Sequence, residues 1–105
     1  MARRINSDNF KELVLKEEKP VLVDFYSDTC VPCKKIAGIL GEIEDAYEDR
    51  LQLYKVNVNY DEQLVEEYKI MSAPTVVVFH KGEETARLTG AVKKEELEET
   101  FIHII

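Results

Sequence analysis

The segment Val21–Tyr26 constrains the fold more than any other feature, because its apolar side chains fall on both faces of the strand that its pattern predicts. A strand that is apolar on both faces must be covered on both sides, which is typical of the centre of an α/β sheet. Asp24 is the one charged residue in this run. Residues 75–79 contain four apolar residues in succession, so we expect a second strand that is buried on both faces.

Helical and strand-like patterns alternate along the rest of the chain. Apolar spacing predicts helices over residues 8–16, 33–49, 61–69 and 93–105, and further strands over residues 51–57 and 85–89. Lys81 and Gly82 predict a turn that makes the last two strands antiparallel neighbours. Strands that alternate with helices usually pair in parallel, so the order predicts a single α/β domain over residues 1–105 with a mixed sheet.

The length and charge of the chain exclude several classes of protein. Its 105 residues suffice for one domain with a substantial core. Its 14 basic and 21 acidic residues give a net charge of −7, whereas a surface that binds nucleic acid is basic. No apolar run is long enough to span a bilayer.

The first nine residues are polar and charged and lack the apolar core of a secretory signal. A chain from which a signal had been removed would show the same pattern, an alternative that the initial Met1 disfavours. We therefore expect a cytoplasmic protein that binds neither nucleic acid nor membranes.

Cys30 and Cys33 are the only cysteines, and they stand between a predicted strand and a predicted helix. Unpaired N–H groups and the dipole at a helix N-terminus stabilise an anion, and the thiolate is the attacking form of cysteine. Residues three apart share a helix face, so Cys33 can attack a mixed disulfide formed at Cys30. Pro32 lacks an N–H and has a preset φ, which suits a first helical turn. The spacing therefore indicates thiol–disulfide chemistry.

Two other uses of the cysteine pair remain open from the residues alone. Half of a zinc site would need two more protein ligands, and the only histidines, His80 and His103, lie far along the chain without ligand spacing. A purely structural disulfide is disfavoured in a reducing compartment. We therefore expect no metal and a cysteine pair that acts chemically.

Four segments, in order, resemble the thioredoxin family over nearly the whole chain. Residues 23–26 followed by residues 30–34 resemble its active-site strand and redox helix, and residues 72–75 resemble its cis-proline loop. Residues 79–83 resemble its hairpin turn, and Gly90 with Ala91 resembles its final loop. The resemblance implies the thioredoxin fold, a mixed central sheet of four to five strands flanked by helices on both faces.

The resemblance assigns roles at the reacting centre. It makes Cys30 the nucleophile and Cys33 the resolving cysteine. Asp24 becomes a proton-transfer group for Cys33, and Lys55 the lysine beside that aspartate. A carboxyl buried in an apolar strand has a raised pKa, which suits proton transfer near neutral pH. The residues alone leave Asp24 open as a solvated strand end and Lys55 as an ordinary surface lysine.

The resemblance also assigns the surface that would receive a client protein. Pro74 matches the cis-proline that packs against the disulfide, although most X–Pro bonds are trans. Ala73 would offer its backbone N–H and C=O to an extended client segment. The remaining docking positions surround the reactive thiol and are Thr29, Val31, Gly90 and Ala91.

The chain departs from the family's usual residues at four positions. Thr29 stands where tryptophan usually precedes the first cysteine, and Val31 stands where glycine usually follows it. Gly38 replaces a frequent proline of the redox helix, and Lys93 replaces a frequent capping serine of the last helix. The first two changes affect the docking surface and the reactive thiol, so they bear on partner choice and redox potential more than on reaction type.

The leading hypothesis is a dithiol electron carrier that reduces disulfides in client proteins. No flavin or nicotinamide fingerprint occurs, so we expect no cofactor and recharging by a separate protein similar to thioredoxin reductase. Two alternatives remain: an oxidant or isomerase with a more oxidising couple, and an interaction module of the same fold whose cysteines are incidental. We expect a monomer, as is usual for this fold.

Overall fold

A computed structural model describes residues 2–105, which contain one mixed sheet of five strands. The strands are β1 (Arg3–Arg4), β2 (Val21–Tyr26), β3 (Gln52–Asn57), β4 (Thr75–His80) and β5 (Glu83–Thr89), in the spatial order β1-β3-β2-β4-β5. Strands β1, β3 and β2 pair in parallel, whereas β4 lies antiparallel to β2 and β5 antiparallel to β4. The central position of β2 confirms what its two apolar faces predicted.

The helices are α1 (Val31–Ala46), α2 (Glu62–Glu67) and α3 (Lys94–Glu99). Helix α1 begins two residues earlier than the apolar spacing predicted, because Cys30 caps it, and it continues through Gly38 and Gly41. At the start of α3, the Lys93 N–H donates to the Glu96 carboxylate at 3.1 Å. This bond is the half of a capping box that the N3 glutamate supplies; the other half needs an acceptor on the N-cap side chain, which lysine lacks.

Two apolar cores cover the two faces of the sheet. One core lies beneath the N-terminal helical turn and α2 and includes Phe10, Val23, Phe25, Leu64 and Phe79. The other lies beneath α1 and α3 and includes Leu22, Ile36, Ile43, Val78 and Leu97. Because successive strand residues point to opposite faces, Asp24 shares the α1 face with Leu22. The carboxyl is therefore directed into a core and not along the sheet edge.

Two predicted helices differ most from the structure, and one strand, β1, was not predicted. Residues 8–16 form a short π-helical turn, Lys11–Leu15, in place of an amphipathic α-helix, and Lys16 N–H donates to the Lys11 carbonyl at 3.0 Å. The last helix ends at Glu99 and not at residue 105; the Thr100 hydroxyl donates to the Leu97 carbonyl at 2.6 Å and competes with helical bonding there. Strand β1 was not predicted, because two residues show no periodicity.

The turn between β4 and β5 follows the prediction from Lys81 and Gly82. Both residues have positive φ, 54° and 84° respectively, as a two-residue type I′ turn requires. Such a turn matches the right-handed twist of the strands that it joins. The hairpin thereby places the loop after β5 beside the loop before β4, next to the cysteines.

Candidate active site

The cysteine pair forms a disulfide at the N-terminus of α1. Cys30 is the N-cap residue, with extended backbone angles of φ −93° and ψ 112°, and its sulfur accepts a hydrogen bond from the Cys33 N–H at 3.1 Å. The two Cα atoms lie 5.2 Å apart, a normal separation for a disulfide. Once the bond is reduced, the same N–H and the helix dipole stabilise a thiolate at Cys30.

The two sulfur-bearing residues differ in accessibility. Cys30 is half-buried, whereas Cys33 is only 5% exposed and packs on the inner side of α1. Val31 and Pro32, which separate them, both face solvent, and Val31 is 65% exposed. A partner protein can therefore approach Cys30 while Cys33 remains shielded.

The loop before β4 lies against the disulfide. The Ala73–Pro74 peptide bond is cis, as the family resemblance implied, and the Ala73 carbonyl oxygen lies 3.5 Å from the Cys30 sulfur. A disulfide sulfur carries no proton, so this approach is a contact and not a hydrogen bond. The Gly90 N–H donates to the Pro74 carbonyl at 2.8 Å, which brings the loop after β5 to the same place.

The structure places the expected docking residues on loops around the disulfide, but only some of them have a described contact there. Ala73 and Gly90 are tied to the disulfide region by the contacts just described, and Val31 lies at its rim. Ala91 is exposed beside Gly90, in the same loop. Thr29 is exposed as well, and its hydroxyl lies 3.4 Å from that of Ser27, directed along the loop that precedes Cys30.

Asp24 is buried behind the cysteines. It is 4% exposed, so it is not a solvated strand end, and its Oδ1 has no hydrogen-bond partner within residues 2–105. Desolvation raises the pKa of this carboxyl to about 7, and the charge of Lys55 offsets part of that rise. The carboxyl therefore exchanges a proton near neutral pH, as its position in an apolar strand predicted.

A cavity of about 210 Å³ connects Asp24 with the shielded cysteine. Its walls include Asp24, Cys33 and Lys55, together with Tyr26 and Lys34. Lys55 is half-buried, and its Nζ lies 5.3 Å from the centroid of the Tyr26 ring. A cavity of this size has room for water, and the Asp24 and Lys55 side chains in its mostly apolar wall supply polar partners, so water can carry a proton between the carboxyl and the Cys33 sulfur.

Sequence reasoning missed a polar network that supports the loop carrying Cys30. The buried Asn57 side chain donates to the Asp28 carboxylate at 3.1 Å, and the Asn59 side chain donates to the Ser27 hydroxyl at 3.2 Å. The Asn59 N–H in turn donates to the Asn57 side-chain oxygen at 3.0 Å. The polar cluster at the ends of two neighbouring strands was the available signal. These bonds fix the loop between β2 and α1 to the end of β3.

Within residues 2–105, no three or more His, Cys, Asp or Glu side chains are grouped so that they could hold a metal ion. In the same span, no helix has the length and apolar character needed to cross a membrane.

The chain matches the model of a known protein family. The model of the Thioredoxin family matches residues 2–103, nearly the whole chain. The chain belongs to the thioredoxin family. It is 43% identical to "Thioredoxin" of Acidithiobacillus ferridurans over 93 residues, which cover 89% of this chain and 86% of that protein.

Two further proteins named thioredoxin are similar to most of this chain. "Thioredoxin 1" of a Nostoc species is 36% identical over 100 residues, which cover 95% of this chain and 94% of that protein. "Thioredoxin M-type, chloroplastic" of Chlamydomonas reinhardtii is 39% identical over 99 residues, covering 94% and 71%. Family membership and the Cys30–Cys33 disulfide together make this protein a thiol–disulfide oxidoreductase.

Proposed function

We propose that this thioredoxin-family protein reduces disulfides in client proteins, with Cys30 as the attacking thiol and Cys33 as the resolving thiol. The observation that carries the proposal is the difference in exposure between two sulfurs at one helix N-terminus. The half-buried Cys30 can reach a partner, while Cys33, 5% exposed, cannot react with a large molecule directly.

The first step is a thiol–disulfide exchange at Cys30. Its thiolate attacks one sulfur of the client disulfide, a new S–S bond forms between the two proteins, and the other client sulfur leaves as a thiolate. The Cys33 N–H, which lies 3.1 Å from the Cys30 sulfur in the oxidised structure, favours the thiolate. Pro32 supports this geometry in the first turn of α1, where its missing N–H costs no helical bond.

The second step releases the client. Asp24 takes the proton of Cys33 through the shared cavity, and the Cys33 thiolate attacks the Cys30 sulfur. The mixed disulfide breaks, the second client sulfur leaves with the electron pair, and the Cys30–Cys33 disulfide is restored. The client gains two electrons and two protons, and the protein loses the same number. Lys55 is placed to limit the cost of a negative charge at Asp24.

The client segment would bind across the loops beside Cys30. The Ala73 backbone offers a donor and an acceptor to an extended strand, and Pro74 presents Ala73 to the sulfur through the cis bond. Val31 and Ala91 supply exposed apolar surface on either side, and Gly90 leaves room for a close backbone approach. Thr29 provides a polar edge where the family usually has tryptophan.

The proposal extends to partners and place. Clients are disulfide-containing proteins, and a separate reductase returns two electrons to Cys30–Cys33. We place the protein in the cytoplasm, because a reducing compartment returns such a cysteine pair to its dithiol form. We also propose that it acts as a monomer.

The first test equilibrates the protein with defined thiol–disulfide buffers and measures the Cys30–Cys33 redox state by alkylation and mass. We expect a reversible two-electron couple near the value of about −270 mV that is typical of thioredoxin. A couple about 60 mV more oxidising, a hundredfold change in the equilibrium constant, would contradict a reductant and indicate an isomerase or oxidant. Failure to form a reversible disulfide would contradict redox function altogether.

The residue roles are tested by paired variants. Cys33→Ser should trap a stable mixed disulfide with a reducible client protein, because no resolving thiol remains. Cys30→Ser should trap none, because the remaining Cys33 sulfur is shielded. Equal trapping by the two variants would contradict the assignment of the nucleophile.

A further inference from the structure

Three side chains on the α1 face of the sheet are arranged so that one cation has two alternative partners. Asp24 and Tyr26 are two residues apart in β2, so both point to this face. Lys55 of β3 is the register partner of Asp24 in the parallel pair. Its flexible side chain therefore starts beside the carboxyl and reaches either Asp24 or Tyr26.

The Lys55 ammonium group lies over the Tyr26 ring and not in contact with the Asp24 carboxyl. Lys55 Nζ is 5.3 Å from the Tyr26 ring centroid, within the range of a cation–π interaction. Ion pairs with N–O distances up to 4.0 Å within residues 2–105 do not include one between Lys55 and Asp24. The Asp24 Oδ1 is also without a hydrogen bond among those residues.

We propose that Tyr26 is a positioning residue whose ring holds the Lys55 ammonium out of ion-pair contact with Asp24, so that the Asp24 carboxylate keeps its basicity toward the proton of Cys33. The inference deepens the proposed function and rests on it for its catalytic meaning. Its physical content, a ring that restrains a cation, is independent of turnover.

The expected direction follows from the competition for one cation. An ammonium in contact with a buried carboxylate stabilises the charged form and lowers its pKa. Without the ring, Lys55 is free to approach Asp24 through the cavity that both residues line. Removal of the ring should lower the pKa of Asp24 by roughly half a unit, since a cation–π contact at a partly exposed site is of that strength.

Other charged or titratable groups face the same space and stay constant in the comparison. Cys33 and Lys34 of α1 and Asp28 of the loop after β2 line the cavity. Arg4 of β1 is the register partner of Lys55. The β4 residue paired with Asp24 is the apolar Val76.

The test follows the Asp24 carboxyl carbon by NMR as a function of pH in the oxidised protein, where Cys33 does not titrate. Tyr26→Leu should lower the pKa of Asp24 by roughly half a unit. Tyr26→Phe is the matched control, because it keeps the ring and should leave the pKa unchanged. Tyr26→Met serves as a second ring-removing variant if the leucine variant does not fold.

A double-mutant comparison separates positioning from mere packing. In a Lys55→Met background, Tyr26→Leu should no longer shift the pKa of Asp24, because the cation that the ring restrains is absent. A shift that persists there, an unchanged pKa in Tyr26→Leu, or a rise would each overturn the proposal. Because the titration needs no client, an inactive oxidoreductase with the expected shift would contradict only the proposed function.

Discussion

Replacement of Asp24 by Asn should remove a loss of stability that the natural chain shows as the pH rises, because the Asp24 carboxyl is buried. The carboxyl has a pKa of about 7 in the folded chain, against the ordinary aspartate value of 3.8. Between these values the unfolded chain has lost a proton that the folded chain keeps, so stability falls as pH rises. The destabilisation is absent below the lower value and complete above the higher one.

The magnitude follows from the size of the shift. About three pKa units at 1.36 kcal/mol each correspond to about 4 kcal/mol, an order-of-magnitude value for a carboxyl that is 4% exposed. An amide in the same place does not ionise, so Asp24→Asn removes the whole pH-dependent part. The cost of burying the amide does not depend on pH, so it cancels when the change in the free energy of unfolding with pH is compared between the two proteins.

The assay is urea unfolding of the oxidised protein and of Asp24→Asn at a series of pH values from about 4 to about 8. The free energy of unfolding of the variant, relative to the natural chain, should rise by about 4 kcal/mol across that range. Asp45→Asn, which replaces an exposed carboxyl on α1, is the matched control. Its free energy of unfolding, plotted against pH, should run parallel to that of the natural chain. Parallel curves for Asp24→Asn would refute the raised pKa.

Two further substitutions, each with a matched control, test the packing that holds the site. Gly82→Ala should lower the free energy of unfolding by about 1–2 kcal/mol, since φ is +84° and a Cβ would lie 3.1 Å from the Leu15 carbonyl oxygen; Gly38→Ala, helical and unobstructed, should instead raise it by up to about 1 kcal/mol. Phe79→Ala should lower it by about 3–5 kcal/mol, against roughly 0.5 for the exposed Ile102→Ala, and equal losses would contradict the assigned core. Urea unfolding measures all four.

The local elements that carry the chemistry could be predicted from the sequence. Apolar residues on both faces favour a central position for a strand such as Val21–Tyr26, because each face must be covered. The position of Cys30 and Cys33 between a predicted strand and a predicted helix indicated a helix N-terminus, although apolar spacing began that helix at residue 33 and the structure begins it at Val31. The central strand favoured burial of Asp24, but the residues alone left a solvated strand end open, and it is the structure that shows the buried side chain.

Elements without a local pattern could not be predicted. Strand β1 consists of two exposed arginines and exists because β3 offers an unpaired edge to Arg3–Arg4. The early end of α3 depends on turn bonding at Thr100, which competes with an apolar stripe that continues to Phe101.

The family resemblance implied that Lys55 lies beside Asp24, but only the tertiary structure shows the strand register that places it there and its contact with Tyr26. Parallel pairing of β2 with β3 places Lys55 beside Asp24, and the same pairing brings the Lys55 ammonium over the Tyr26 ring. Periodicity fixes which face a side chain occupies, but it contains no information on register between strands that are 26 residues or more apart. The sequence therefore indicated the cysteine pair and, through the family resemblance, Asp24 and its lysine, whereas only the folded sheet determined that Asp24 is buried and that the Tyr26 ring lies beside the lysine.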